Sequence, residues 1–408
     1  MSRTRGAAAR CARRRLRFLL SALRASEILR YPLQTSAFGS DPLAERRRVV
    51  REEFAAGPPP EPQLDTTLFA SSPLLDYRAA LQRELLAQGS RLPATPSVKE
   101  VRTPAHSRGE YVFDWEWAEA CQRAGIPYYP KLLTAVPFSP VGGARLLGGD
   151  PLAAARLLTQ LEGRLAQEGL SGLHVNFTDD FASAVLAGRE GWLERWGCQF
   201  HWFNRGYRDF QDFLDALSSR KRKQMRKERE QVAGQGIDFE WREGRQLDEA
   251  DWDFAYACYA STYQVRGQLP YLTRSFFSLL AGRMPEAIRV VLARQRGRPV
   301  AMAFFLCDEQ RLYGRYWGCL ADFDRLHFET CLYQGLELAL QLGVTSFDAG
   351  AQGEHKLLRG FEPVLTRSWH LLCHPGLRRA VGDFLLRERA GVQGYIEEAR
   401  AMLPYRQG

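Results

Sequence analysis

The chain has 408 residues, 45% hydrophobic and 25% charged, which excludes a wholly disordered, fibrous or collagen-like protein. No apolar run approaches the roughly 20 residues of a membrane span, so no stable membrane insertion and a cytoplasmic protein are expected. The net charge of +9, from 56 basic and 47 acidic residues, hints at an anionic partner without requiring one.

Residues 1–104 read apart from the rest. Met1 to Arg30 sets many arginines against Glu27 alone, an arginine-rich, acid-poor pattern of the targeting kind. Proline-punctuated stretches at 57–62 and 93–104 read as linkers, with one weak amphipathic helix over 74–87 between them. The expectation is a poorly ordered or divergent extension, or a misassigned start.

From Ser107 the pattern sharpens. EYVFDWEWAEA enters a helix near Trp115, and LLTAVPF is a short strand broken by Pro137. After the glycine loop VGGARLLGGD, Asp150 suits an N-cap and Pro151 a first helical residue, opening a helix to about Glu168. Gly169 and Gly172 stop it. The spacing then predicts a strand over 173–177, a helix over 181–196 and a strand over 198–205. A basic helix over 210–232 is closed by Gly234 and Gly236. Beyond it come a strand at 237–241, an aromatic helix at 248–263 and two antiparallel strands, 288–295 and 300–308, joined by RGRP. A third strand (311–319), a helix (326–342) and strands at 344–350 and 367–373 follow. Strand, loop, helix, glycine stop, strand, connector and aromatic strand with histidine occur twice in this order. The layout implies two copies of one α/β unit: 105–209 and 237–408, joined by the basic helix at 210–236.

Eight scattered cysteines form no CxxC pair, and no Cys/His spacing offers a metal site. The histidines His174, His201, His370 and His374 alternate with or end apolar strand residues and read as structural. Seven cations crowd the basic helix, and helical spacing stacks Arg222, Arg226 and Arg229 on one face. That is a phosphate-sized footprint, or simply a solvated helix. The segment GAQGEHKLLRG follows a strand end, where ligands of open α/β sheets sit.

The repeated unit resembles the second half of the GNAT acyltransferase fold, with WGCQF and RGFEP at its Gly-aromatic position. Two such units joined by SSRKRKQMRKERE resemble the Fem-type transferases. The motifs HSRGEYVFDW, AGIPYYPKLL, RYWGC, LHFETCLYQGLE and FDAGAQGEHKLLRGF look like the predicted N-acyltransferases called peptidoglycan-biosynthesis-like. The resemblance implies two tandem GNAT-like mixed-sheet domains, the first incomplete if 1–104 supplies none of its strands. It also implies transfer of an acyl or aminoacyl group from an activated ester or thioester to an amine acceptor. The donor would be acyl-CoA or aminoacyl-tRNA, with no tightly bound cofactor and no metal.

Such transfer needs a base for the ammonium nucleophile and a donor for the oxyanion. Glu354 or His355 is a candidate base, while Lys356 or Arg359 is placed to hold a carboxylate or phosphate. His327 and Glu329 open the preceding helix, where Glu329 complements the helix dipole or, alternatively, both face the same cleft as His355. Asp348 would orient a histidine, and Tyr316 and Tyr333 are core tyrosines or, as the GNAT resemblance implies, proton donors to the leaving group. The CoA signature of that family fails at its last position both at Arg145–Asp150 and at Arg315–Leu320, which favours a Fem-like donor. Two rivals stand beside this reading: a non-catalytic module holding RNA or another anionic ligand on the basic helix, and a CoA-dependent small-molecule acetyltransferase.

Overall fold

The structure, a computed structural model, describes residues 97–102 and 111–406, apart from 137, 138, 147–149, 266, 268, 271 and 352. The readings for residues 1–96 lie outside the described residues. Ten strands form one mixed sheet in the order β1-β2-β3-β10-β4-β9-β8-β7-β6-β5. The strands are β1 (Ser97–Val101), β2 (Lys131–Ala135), β3 (Gly172–Val175), β4 (Trp192–Phe203), β5 (Ile237–Glu243), β6 (Ile288–Gln295), β7 (Arg298–Cys307), β8 (Arg311–Cys319), β9 (Ser346–Asp348) and β10 (Glu362–Leu372).

The two-copy layout is visible in the pairing. β1 is antiparallel to β2, β2 parallel to β3, and β3 antiparallel to β10. The same sequence of pairings runs through β7, β8, β9 and β4. The long antiparallel seam of β4 and β10 lies between the halves, so each half is completed by the last strand of the other. A local two-fold through this seam superposes Gly191 on Gly360. Both have left-handed backbones, φ 82 and φ 85, at the entrance to the exchanged strand. It also places His201 of β4 on His370 of β10. Across the neighbouring pairs, where His201 faces Asp348 and His370 faces His174, it places Asp348 on His174. The Gly-aromatic position in the first unit is therefore Gly191-Trp192. Gly197 of WGCQF lies mid-strand, where the absence of a side chain leaves room for Thr366 Oγ1 on β10.

Helices cover the sheet. α1 (Trp115–Arg123), α2 (Pro151–Gln167) and α3 (Asp180–Ala187) belong to the first half. The Asp150 carboxylate accepts the N–H groups of Leu152 and Ala153, and Pro151 follows it, as the sequence expects. The helix expected over 181–196 ends at Ala187, since Gly188 caps it and Gly191 turns the chain into β4. The basic helix is two: α4 (Phe210–Ala216) and α5 (Ser219–Ala233). They part where the buried Leu217 adopts extended backbone. α6 (Glu249–Gln264) and α7 (Arg274–Arg283) pack aromatic residues against β7 and β8. Arg296 and Gly297, both left-handed, close the β6–β7 hairpin as a type I′ turn. α8 (Leu326–Phe328), a π-helical turn (Glu329–Tyr333) and α9 (Gln334–Gln341) form the helix expected over 326–342. A 3₁₀ helix (Glu354–Arg359) precedes β10, and α10 (Pro375–Ala401) crosses the seam to pack on both β4 and β10. Three elements were not read in the sequence: α7, α10 and β1. β1 lies inside the stretch 93–104 read as a linker, and it pairs along its whole length with β2.

Candidate active site at the parting of β8 and β9

β8 and β9 pair only from Arg311 to Tyr313 against Ser346 to Asp348. β8 then bulges, with Phe305 opposite Gly314 and Phe304 opposite Tyr316, and runs on to Cys319. β9 stops at Asp348, whose Oδ1 accepts the Gly350 N–H at 2.8 Å. Left-handed Gly350 and Gly353 carry the chain away from the sheet. The parallel pair therefore opens into a cleft at the carboxyl end of β9, where open α/β sheets place their ligands.

Lys356 reaches this cleft from the 3₁₀ helix. It is 3% exposed, and its Nζ donates to the Gly350 carbonyl at 2.6 Å. Among the described residues no carboxylate lies within 4 Å of the ammonium. Burial pushes the amine down to about 8, against the opposing pull of Asp348 and Cys331. Asp348, also buried, faces His201 on β4, with Oδ1 3.7 Å from Nε2. The His201 Nε2 lies 3.1 Å from Gln199 Oε1, and Gln199 donates in turn to the Pro140 carbonyl at 2.7 Å. Burial holds the His201 imidazole below its usual range despite the Asp348 carboxylate, so the ring is neutral at pH 7. The histidine beside Asp348 is thus His201, which the sequence reads as structural, and the hydrogen bond on its Nε2 is to Gln199. Its partner was hidden because strand alternation shows which face a residue takes, not which strand lies beside it.

The other candidates divide. His355 and His327 stand together, ring centroids 6.0 Å apart, with Phe328 5.2 Å from His355. Burial and the neighbouring His327, Lys356 and Arg359 push His355 down to about 4, and its buried Nε2 has no hydrogen-bond partner. Glu354 is exposed and accepts the Tyr395 hydroxyl at 3.2 Å, outside the cleft. Glu329 does not face the histidines: it is 3% exposed and takes Arg229 Nε at 3.1 Å and Gln334 Nε2 at 2.8 Å. Burial raises its pKa. Tyr316 packs among Tyr259, Phe277 and Phe304, its ring filling the core under α6. Arg315 lies beside that ring and donates to Ser139 Oγ at 2.8 Å. The Tyr333 hydroxyl is held between Arg359 and Glu228. Arg359 is itself buried and bound to Glu228 Oε2 at 2.7 Å, so its carboxylate partner is internal.

In the arginine stripe of the basic helix, Arg222 and Arg229 are half-buried while Arg226 stays exposed, and all three have partners within the chain. Arg222 pairs with Asp215 at 2.6 Å and Arg226 donates to Gln211 at 2.8 Å, both on α4. Arg229 is shared between Glu329 and Glu337 over the Phe210 ring. A cavity of about 460 Å³ lies beside these groups, lined by Phe210, Leu214, Arg226, Arg229, Phe239 and Glu329 among others. The cations that α5 shows to solvent are Arg220, Lys223, Arg226 and Lys227. Arg145 is buried, its guanidinium spent on the carbonyls of Asn176 and Val141. In the second half, the exposed Asp322 and Asp324 precede left-handed Arg325 at the start of α8, where a phosphate loop would stand.

Among curated proteins none matches the chain. The sequence matches the FemAB-like family, described as peptidoglycan biosynthesis/recognition, over residues 95–407. The chain belongs to that family. The match starts just ahead of β1, so the FemAB-like region includes the edge strand that the sequence reading left out. FemX is similar in structure at 11% identity and a TM-score of 0.43, over 63% of this chain and 85% of its own. So is L-PGS from Bacillus licheniformis, at 11% identity and a TM-score of 0.42, over 69% and 85%. A tandem GNAT protein from the clavulanic acid biosynthesis pathway aligns at 13% identity and a TM-score of 0.33, over 61% and 77%. The fold of this FemAB-like chain is two similar mixed-sheet units with exchanged final strands. Among its described helices, none is long and apolar enough to cross a membrane.

Proposed function

We propose that this FemAB-like protein is an aminoacyl-type N-acyltransferase acting in the cytoplasm on an amine of a cell-wall precursor, with aminoacyl-tRNA as donor. The observation that carries the reading is Lys356, a buried ammonium without a carboxylate partner among the described residues, at the cleft where β8 and β9 part. The amine nitrogen attacks the ester carbonyl, a C–N bond forms, the ester C–O bond breaks, and the amine loses a proton. The Lys356 ammonium stabilises the oxygen that becomes negative. A pre-placed charge in a dry site is worth far more there than in water. His355 is neutral at pH 7; its Nε2, without a partner among the described residues, takes the proton and returns it to the departing ribose oxygen, which leaves as a hydroxyl, while Asp348 and His201 hold the strand end on which Lys356 depends. A CoA donor is disfavoured by the two aspartates at the start of α8, which would repel a pyrophosphate.

The test is turnover with purified protein, a panel of charged tRNAs and acyl-CoAs, and amine acceptors from wall precursors. Lys356→Met should lower kcat about 10²–10³-fold, the loss seen when one oxyanion donor is removed. Turnover with an acyl-CoA but no charged tRNA would replace the donor assignment. Retention of full activity in Lys356→Met would end this reading of the cleft.

A further inference from the structure

α5 is crowded with cations, yet its most buried charged residue is an acid. Glu228 is 4% exposed. Its Oε2 accepts Arg359 Nη2 at 2.7 Å and the Tyr333 hydroxyl, while Oε1 accepts Gln224 Nε2 at 3.0 Å and lies 3.2 Å from Arg325 Nη1. Both oxygens are therefore saturated by donors from three separate parts of the chain. Arg359 passes this anchorage on. Its Nε donates to the Tyr333 hydroxyl at 2.9 Å, its Nη1 donates to the His355 carbonyl at 3.0 Å, and its plane lies 3.9 Å from the Phe328 ring centroid. The His355 carbonyl is the peptide group that leads directly into Lys356.

The segment 354–359 needs such an anchor. It is a short 3₁₀ helix between two left-handed glycines, Gly353 at φ 116 and Gly360 at φ 85. Few backbone hydrogen bonds tie it to the rest of the chain, and 3₁₀ turns of this length have poor internal geometry. A planar guanidinium that engages a carboxylate, a hydroxyl and a carbonyl at once fixes a direction that a lysine could not.

We infer that Glu228 and Arg359 form a positioning pair that sets the placement of Lys356 in the cleft, so that the basic helix is a structural part of the active site. This rests on the proposed role of Lys356, but its geometry can be tested without turnover. The experiment is competitive labelling of the intact protein with acetic anhydride across pH 6–11, read lysine by lysine by peptide mass spectrometry. The wild-type Lys356 should titrate near 8, with exposed Lys227 as the internal reference. Glu228→Gln keeps the shape and removes the charge. In this variant Lys356 should shift upward by at least one pH unit, and the labelling rate of its neutral amine, read on the high-pH plateau, should rise at least five-fold, as the segment loosens towards water. Lys227 should not change. Arg359→Lys, which keeps the positive charge but not the three-way reach, should do the same, and it carries the test if Glu228→Gln does not fold. In turnover, both variants should lose at least ten-fold in kcat with the donor KM within two-fold of wild type. Folded variants in which Lys356 titrates and labels as in the wild type would overturn the positioning role. If the wild type shows no turnover with any donor, the labelling shift still decides the pair, and only the proposed reaction falls.

Discussion

The two halves of this sheet hold the same position in opposite ways. In the first half, His370 on β10 meets His174 on β3, with their Nδ1 atoms 2.6 Å apart. Beside them Lys131 is bound directly to Asp114, Tyr128 donates to the same carboxylate at 2.8 Å, and Trp117 closes over His370. All of these groups are buried. In the second half, the equivalent His201 meets Asp348, and the nearby cation, Lys356, has a carbonyl for its partner instead of a carboxylate. One half neutralises its buried charge internally, and the other keeps it available. A buried ion pair that is complete leaves no charge uncompensated, so the proposed chemistry goes with the half whose cation has no carboxylate against it among the described residues.

The sharpest way to break this contrast is to remove each cation in turn. Lys131→Met should destabilise the fold by about 3–5 kcal/mol, because it leaves Asp114 buried and unpaired. Chemical denaturation at pH 7 measures it. Lys356→Met should leave the denaturation midpoint close to wild type, since it removes an unpaired buried charge, and the activity loss should appear instead.

Acid should expose the sealed half next. Burial and the charges of Lys131 and Arg195 push His174 down to about 3, and His370 lies well below its ordinary value. In the unfolded chain both take up protons near pH 6.5. Between pH 6.5 and about 3 the unfolded state therefore binds more protons, and stability falls as pH falls through that window. For His174 alone the loss from pH 6.5 to 4 is on the order of 3 kcal/mol. Folding free energy measured across this range should flatten in His174→Phe. The activity side titrates elsewhere: kcat should decline above pH 8 as Lys356 loses its proton.

The smallest test uses the two superposed glycines. Alanine in a left-handed backbone costs about 1–2 kcal/mol at either position. At Gly191 the added methyl meets the flexible end of Arg378, at 2.9 Å. At Gly360 it meets the rigid Phe213 ring at 2.9 Å and the Tyr405 hydroxyl at 3.2 Å. Gly360→Ala should therefore lower the melting temperature more than Gly191→Ala, by thermal unfolding of the two variants side by side.

Much of this architecture was legible in the sequence. Asp150-Pro151, RGRP and the glycine stops act through local backbone chemistry, so a short window suffices to read them. The repeated order of elements was legible for the same reason, and it foretold the two-fold. What escaped depends on distant partners. β1 is a strand only because β2 lies beside it. Gly197 and Gly191 are alike on paper, but only Gly191 has the left-handed backbone. Within the site, the GEHKLLRG segment was singled out and does supply Lys356 and His355. The partners of Glu329, Arg229 and Arg359 were not legible, because whether a polar group is free depends on neighbours up to about a hundred residues or more away, such as Glu329 for Arg229 and Glu228 for Arg359. Asp348 was placed in the cleft, but its histidine comes from the other half.

The exchanged strands also govern how the chain can be made. During synthesis the first half emerges with β2 and β3 ready to pair, but the strand that covers β3, β10, ends only at Leu372. Until then β3 presents an open edge, a template for any other strand in the cell. β4, released early, must likewise wait for β9. Neither half is a unit that folds as it leaves the ribosome. A truncation between them should yield two aggregating fragments, not two small proteins, and the nascent chain should be a strong client for chaperones until its last 40 or so residues appear.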